Sequence, residues 1–144
     1  MSVPVLVWPV RVYYEDTDAS GVVYHAAYLR FFERARTEWL RALGYSQERL
    51  RVEAGAAFTV AGMELEFRRP ARLDDALEAT AEVELLRRAS MIFVQTLRYA
   101  VEPGTVLAQA RVRVACVDAA SFKPRALPEF LAGGDQQQER QSLA

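Results

Sequence analysis

Apolar and polar positions divide the chain into one long helix and a succession of strands. From Val5 to Tyr14, Val10, Val12 and Tyr14 alternate with Arg11 and Tyr13, which predicts a first strand. Pro9 within it predicts an edge position or a bulge. Glu15 to Gly21 is acidic and turn-forming. From about Ala26 to Leu43, Tyr28, Phe32, Ala35, Trp39 and Leu43 recur at helical spacing, with Arg34 and Glu38 paired four residues apart on the polar face. Gly44 stands where a left-handed C-terminal cap belongs, and a short helix is expected from Ser46.

Beyond that point the period changes from 3.6 to 2. Thr59, Ala61, Met63, Leu65 and Phe67 form one apolar face, and Leu77, Ala79, Ala81, Val83 and Leu85 alternate with Glu78, Thr80, Glu82 and Glu84. A third run spans about Met91 to Val101, Glu102-Pro103-Gly104 supplies a turn, and Val106, Ala108, Ala110, Val112, Val114 and Cys116 share a last face. Cys116 is therefore expected to be a buried, inert core residue. Strand, long helix, then four strands joined by short turns is an α+β arrangement with an antiparallel sheet. One helix covers only one face of such a sheet, so a homo-oligomer is expected.

Composition narrows the picture. At 144 residues, 51% hydrophobic and 26% charged, the chain suits a single packed domain over residues 1–132. The run GGDQQQERQSLA, residues 133–144, loses all apolar periodicity and reads as a disordered tail. A formal net charge of -1 offers no basic excess for nucleic acid. One cysteine and one histidine exclude an intrachain disulfide and a zinc site of the usual kind, which points to a reducing, cytoplasmic compartment. The opening MSVPVLVWPV has no basic start and is broken by Pro4 and Pro9, so neither a signal peptide nor membrane insertion is expected. No GxGxxG or P-loop pattern is present.

Chemistry concentrates in EDTDASGVVYHAAY, Glu15 to Tyr28. Asp16 and Asp18 are candidate carboxylates that spacing does not separate, and turn aspartates often bond only their own backbone. Gly21 permits a sharp turn or a close approach to a ligand. No Ser, Thr, Asp or Asn immediately precedes Ala26, so the first helical N–H groups are open to an oxyanion, to water, or to capping by the His25 ring. His25 could orient a water, protonate a leaving thiolate or cap the helix. Glu33, mid-helix, reads as a solvated or ion-paired face residue.

Glu15 to Gly44 resembles the 4-hydroxybenzoyl-CoA thioesterase family, and within it the YbgC-type thioesterases associated with the Tol–Pal system. ARLDD (Ala71 to Asp75) and VDAASFKPRALP (Val117 to Pro128) match the same subgroup, so the resemblance covers about residues 8 to 130. It implies a hotdog fold, a five-stranded antiparallel sheet wrapped around one long helix, with dimers that join their sheets and pair into tetramers. It implies an acyl-CoA thioesterase without metal or redox cofactor, in which Asp18 of a D-x-x-G turn ending at Gly21 is nucleophile or general base. The oxyanion donor falls at or next to His25, itself an assisting residue. Arg87, Arg88, Lys123 and Arg125 match basic residues that hold CoA phosphates, and Tyr24 and Ser90 complete the expected substrate-binding set. Ser20 departs from the glycine common in that subgroup, a change expected to matter little. A non-catalytic module binding acyl-CoA or acyl carrier protein is the competing expectation, and a hotdog dehydratase a third.

Overall fold

A computed structural model describes residues 5–131. The tail expected over residues 133–144 lies outside them. In chain order the elements are β1 (Leu6–Arg11), a 3₁₀ turn (Tyr14–Asp16), α1 (His25–Ala42), α2 (Gln47–Ala54), β2 (Ala56–Phe67), β3 (Ala76–Leu86), β4 (Ser90–Tyr99) and β5 (Val106–Asp118). The strands form one sheet in the order β1-β3-β4-β5-β2, and every neighbouring pair is antiparallel. β1 and β2 are the two edges, and the helices lie between them in the chain. Pro9 accordingly sits on an edge strand, where a missing N–H costs no ladder bond.

α1 buries Ala27, Tyr28, Phe31, Phe32, Ala35, Trp39 and Leu40 in the same core as Val10, Leu77, Ala79, Ala81, Phe93, Leu97, Val112 and Cys116. This is a wider stripe than the expected one, as a sheet folded around the helix requires. Trp39 meets Phe93 edge-on at 5.0 Å, and its buried Nε1–H finds no acceptor among the described residues. Gly44 ends the helix at φ +93, with its N–H on Arg41 O (2.8 Å) and the Tyr45 N–H on Leu40 O (3.2 Å), a left-handed cap that a side chain would strain. The expected Arg34–Glu38 pair does not form. Glu38 pairs with Arg41 instead, and the Arg34 guanidinium lies 5.9 Å from the Phe31 ring centroid. Ser46 starts α2 by accepting the Arg49 N–H on Oγ (3.1 Å).

Bulges correct the strand alternation. The register of β2 against β5 shifts between Val60 and Gly62, so Phe58 and Val60 pair with the buried Cys116 and Val114, while Thr59 pairs with Ala115. Thr59 and Ala61 are therefore not on the face of Met63, Leu65 and Phe67. A shift between Val83 and Leu85 buries Leu86 rather than Leu85, and one at Leu97/Arg98 buries Leu107 rather than Val106. Each extra residue adds local bend and twist, which is what a sheet needs to curl over a helix. Cys116 is fully buried and unpaired, and burial pushes its thiol pKa up.

The far face of the sheet carries cross-strand ion pairs, Glu84 with Arg111 (2.6 Å) and Glu78 with Arg98 (3.0 Å). β2, by contrast, is a long edge strand whose outer side has no partner among the described residues.

Candidate active site

The segment between β1 and α1 is a small hairpin tied to the sheet end. Asp16 closes the 3₁₀ turn by accepting the Tyr13 N–H on Oδ2 (2.9 Å). Its other oxygen lies 3.4 Å from Arg30, and the residue is 4% exposed. The fold thereby separates the two aspartates, because Asp16 is a buried structural group. Thr17 bridges Val23, the Asp18 N–H reaches Val22 O (2.9 Å), and the Gly21 N–H reaches Asp18 O (3.1 Å). Gly21 closes this turn at φ +82, and a Cβ there would meet nothing within 4 Å, so its requirement is conformational.

Asp18 projects from the hairpin tip fully exposed. One carboxylate oxygen accepts both the hydroxyl and the backbone N–H of Ser20. These two bonds, the hydroxyl first, hold its pKa below the ordinary value. Backbone N–H groups of the same turn, at Val22 and Asp18, add smaller effects in the same direction. The hydroxyl that serine adds at this position makes the first of the two bonds from Ser20.

α1 begins at His25 with Tyr24 as N-cap and no side-chain capping bond. The Tyr24 N–H goes to Asp16 O (2.8 Å) and the Ala27 N–H to Tyr24 O (2.8 Å), while the His25 and Ala26 N–H groups have no acceptor among the described residues. They sit at the positive end of an 18-residue helix. The His25 ring is exposed and leans on Tyr24, with centroids 4.3 Å apart, and does not cap the helix. The 71–75 segment braces this corner. The Val23 N–H bonds Ala71 O (2.8 Å), Val22 bridges Arg72, and the Ala71 N–H bonds the buried Tyr28 hydroxyl (3.0 Å). Tyr28, Asp16 and Ala71 are the positioning residues that sequence reading missed. The ARLDD match marked the segment, but no periodicity tells that it pairs with a loop fifty residues earlier.

The remaining candidates lie elsewhere. Arg87 and Ser90 close the β3–β4 turn (2.8 Å), Arg88 O accepts the Leu127 N–H, and Lys123 O accepts the Asp118 N–H. Arg87, Arg88 and Lys123 are exposed. Arg125 is held in the structure, donating to Ala54 O and Gly55 O (2.9 Å each) at the end of α2. All five residues gather at the end of the sheet where β2 begins, and Asp18, Gly21, Tyr24 and His25 at the end where it finishes. The 12 residues of β2 span roughly 35–40 Å at the usual strand rise. One chain therefore does not bring the two groups together. Among the described residues no cluster of His, Cys, Asp or Glu could hold a metal ion. Among the described residues no helix is long and apolar enough to cross a membrane.

A curled antiparallel sheet around one helix, with a turn carboxylate beside an uncapped helix start, defines a hotdog-fold domain with a site suited to a polarised carbonyl. The chain belongs to the thioesterase-like superfamily, whose sequence model matches residues 12–134. Within it the chain is of the YbgC type. It is 52% identical over 124 residues to a protein of Escherichia coli O6:H1 named acyl-CoA thioester hydrolase YbgC, covering 86% of this chain and 90% of that one. It is 48% identical over 122 residues to the acyl-CoA thioesterase YbgC of Haemophilus influenzae, covering 85% and 88%. The crystal structure of a probable thioesterase from Bartonella henselae superposes with a TM-score of 0.81 at 38% identity, covering 87% of this chain and 100% of that one.

Proposed function

We propose that this protein hydrolyses acyl-CoA thioesters to the free acid and CoA, with Asp18 as the reacting carboxylate. The observation that carries the reading is the pair of unpartnered N–H groups at His25 and Ala26, directly after the hairpin that holds Asp18. A thioester oxygen placed there gains stabilisation as negative charge develops on it. Asp18, whose pKa Ser20 holds down, either draws a proton from water as the water attacks the carbonyl, or attacks it directly to form an anhydride that water then opens. In both routes the C–S bond breaks and the CoA thiolate takes up a proton, a step in which His25 assists in this reading. Label in Asp18 after a single turnover in ¹⁸O-water would establish the anhydride route, with water opening the anhydride at the Asp18 carboxyl carbon.

The working unit is a homodimer joined along β2. Antiparallel pairing of two β2 edges about a two-fold axis sets the start of one strand beside the end of the other. Arg87, Arg88 and Lys123 of one copy then approach Asp18 and His25 of its partner, where they meet the CoA phosphates. This also covers the Asp18 that a single chain leaves in water. The polar far faces are free to pair dimers into tetramers. An acyl group on acyl carrier protein presents the same thioester, so that carrier is a second substrate form. A cytoplasmic location fits both carriers.

Asp18→Asn tests the assignment. It removes the charge with little change of shape, and CoA release measured with a thiol reagent should fall by about 10³-fold or more. Circular dichroism and gel filtration should be unchanged. Near wild-type turnover would reject Asp18, and binding of acyl-CoA by the wild-type protein without release of thiol would make it a binding module.

A further inference from the structure

β5 runs out into a loop, residues 118–123, that closes on itself. Asp118 Oδ2 accepts the Ala120 N–H (3.1 Å), the Ser121 N–H (2.9 Å) and the Ser121 hydroxyl (3.1 Å). The Asp118 N–H donates to Lys123 O and the Phe122 N–H to Asp118 O, both at 2.8 Å. The Ala119 N–H reaches Gly55 O (2.8 Å) and Val117 bridges Pro124, so the loop is moored both to the start of β2 and to the chain that leaves it.

These bonds present Phe122 to solvent at φ +58, with the residue 69% exposed. The left-handed region is unfavourable for a bulky side chain, and Asn or Gly adopts it at less cost. The ring recovers nothing by burial, and no aromatic ring among the described residues packs against it. Folding therefore does not explain a phenylalanine here, whereas its surroundings do. Lys123 follows it, the Cys116 N–H reaches Ala89 O (2.8 Å), and the Leu127 N–H reaches Arg88 O (2.8 Å). The loop and the β3–β4 turn are thus held side by side, and Arg87, Arg88 and Lys123 are all exposed. A flat apolar face among exposed cations is complementary to a flat base that carries phosphates.

We propose that Phe122 stacks on the adenine ring of CoA, so that this loop makes the protein select CoA-linked over carrier-linked thioesters. The proposal rests on the thioesterase reading for its substrate, but not on the role given to Asp18. A thioester on acyl carrier protein hangs from a phosphopantetheine arm that has no adenine, so it forgoes the contact. One base stacked on an aromatic side chain corresponds to about fivefold to 150-fold in affinity.

The test compares the full-length wild type with Phe122→Asn and Phe122→Trp on hexanoyl-CoA and on hexanoyl-phosphopantetheine, which keeps the thioester and the arm but has no adenosine. Asparagine suits the left-handed backbone, so Phe122→Asn should melt no lower than wild type and keep its gel-filtration profile. On hexanoyl-CoA it should lose about fivefold to 150-fold in kcat/KM, mostly as a rise in KM. On hexanoyl-phosphopantetheine it should match wild type. Phe122→Trp keeps an aromatic face and should retain hexanoyl-CoA turnover. In parallel, NMR follows the adenine ring protons of free CoA, which should move upfield on binding to wild type and not on binding to Phe122→Asn. Equal losses on both thioesters, or no loss on either, in folded Phe122→Asn would overturn the proposal, as would an upfield shift that survives the substitution. If the wild type hydrolyses neither thioester, the thioesterase reading fails, and the CoA titration alone decides whether Phe122 stacks on adenine.

Discussion

Tyr28→Phe isolates the contact that couples the helix start to the loop beneath it. The Tyr28 hydroxyl accepts the Ala71 N–H at 3.0 Å, with Tyr28 3% and Ala71 0% exposed, so no bulk water replaces the lost acceptor. Removing the oxygen forfeits one neutral hydrogen bond and leaves a buried donor unsatisfied, a cost of about 1–3 kcal/mol. For a chain of this size each kcal/mol moves the unfolding midpoint by about 3–5 °C, so a fall of roughly 3–15 °C is expected by differential scanning calorimetry. The ring remains, and with it the edge-on contact to Phe67 at 5.0 Å, so the change is not a cavity effect. Ala71 O accepts the Val23 N–H, so loosening Ala71 should also speed hydrogen exchange at Val23 and lower turnover. A midpoint within about 1 °C of wild type, with exchange at Ala71 unchanged, would refute the claim that this hydroxyl anchors the corner.

Ser20→Ala removes the first cause of the depressed Asp18 pKa. Asp18 is ionised above its folded-state pKa and loses its charge as pH falls through it, so the acid limb of kcat/KM should move up toward the ordinary value of 3.8. An unmoved limb would show that Ser20 does not set it. His25→Ala should cost about tenfold to a hundredfold in kcat, at or below the low end of a general-acid contribution, and no loss would make His25 a surface residue. Cys116, fully buried with a raised pKa, should give no reaction with a disulfide reagent in the native protein and one equivalent after denaturation.

Much of the fold was legible because the period of the pattern changes once, sharply, after α2. α1, the succession of strands along the chain, the Gly44 cap and the buried Cys116 all follow from spacing, but not the order β1-β3-β4-β5-β2 in the sheet. The bulges at Ala61, Glu84 and Leu107 were not legible, since one inserted residue shifts every later side chain without changing composition. Thr59, Leu85 and Val106 were placed on the wrong faces for that reason. At the site, spacing gave Asp16 and Asp18 together, Gly21 and the uncapped helix start, the family resemblance singled out Asp18, and neither told what holds them. Asp16 and Tyr28 act through contacts 3 and 43 residues away, and the longer of these is invisible to any local period. Arg125 matches a phosphate-binding pattern, and its Nη1 also closes the α2 terminus, a contact that depends on where residues 54 and 55 lie.

The separation of Asp18 from Arg87 and Arg88 by the length of β2 makes a quantitative prediction about mixed dimers. Let one population carry Asp18→Asn and a second carry Arg87→Glu with Arg88→Glu, each impaired alone. If every site combines Asp18 of one copy with the basic turn of the other, a heterodimer holds one doubly damaged site and one fully wild-type site. Random re-association of equal amounts makes about half of the dimers heterodimers, so activity should recover to about a quarter of wild type at saturating substrate. If each chain instead binds CoA with its own arginines, mixing yields no wild-type site and activity stays at the average of the two variants. The assay is CoA release after co-refolding or co-expression, with the heterodimer fraction counted by native mass spectrometry. Recovery that tracks this fraction supports a site shared across β2. Activity at the average, despite abundant heterodimers, would place both halves of the site within one chain, which a strand of this length does not allow.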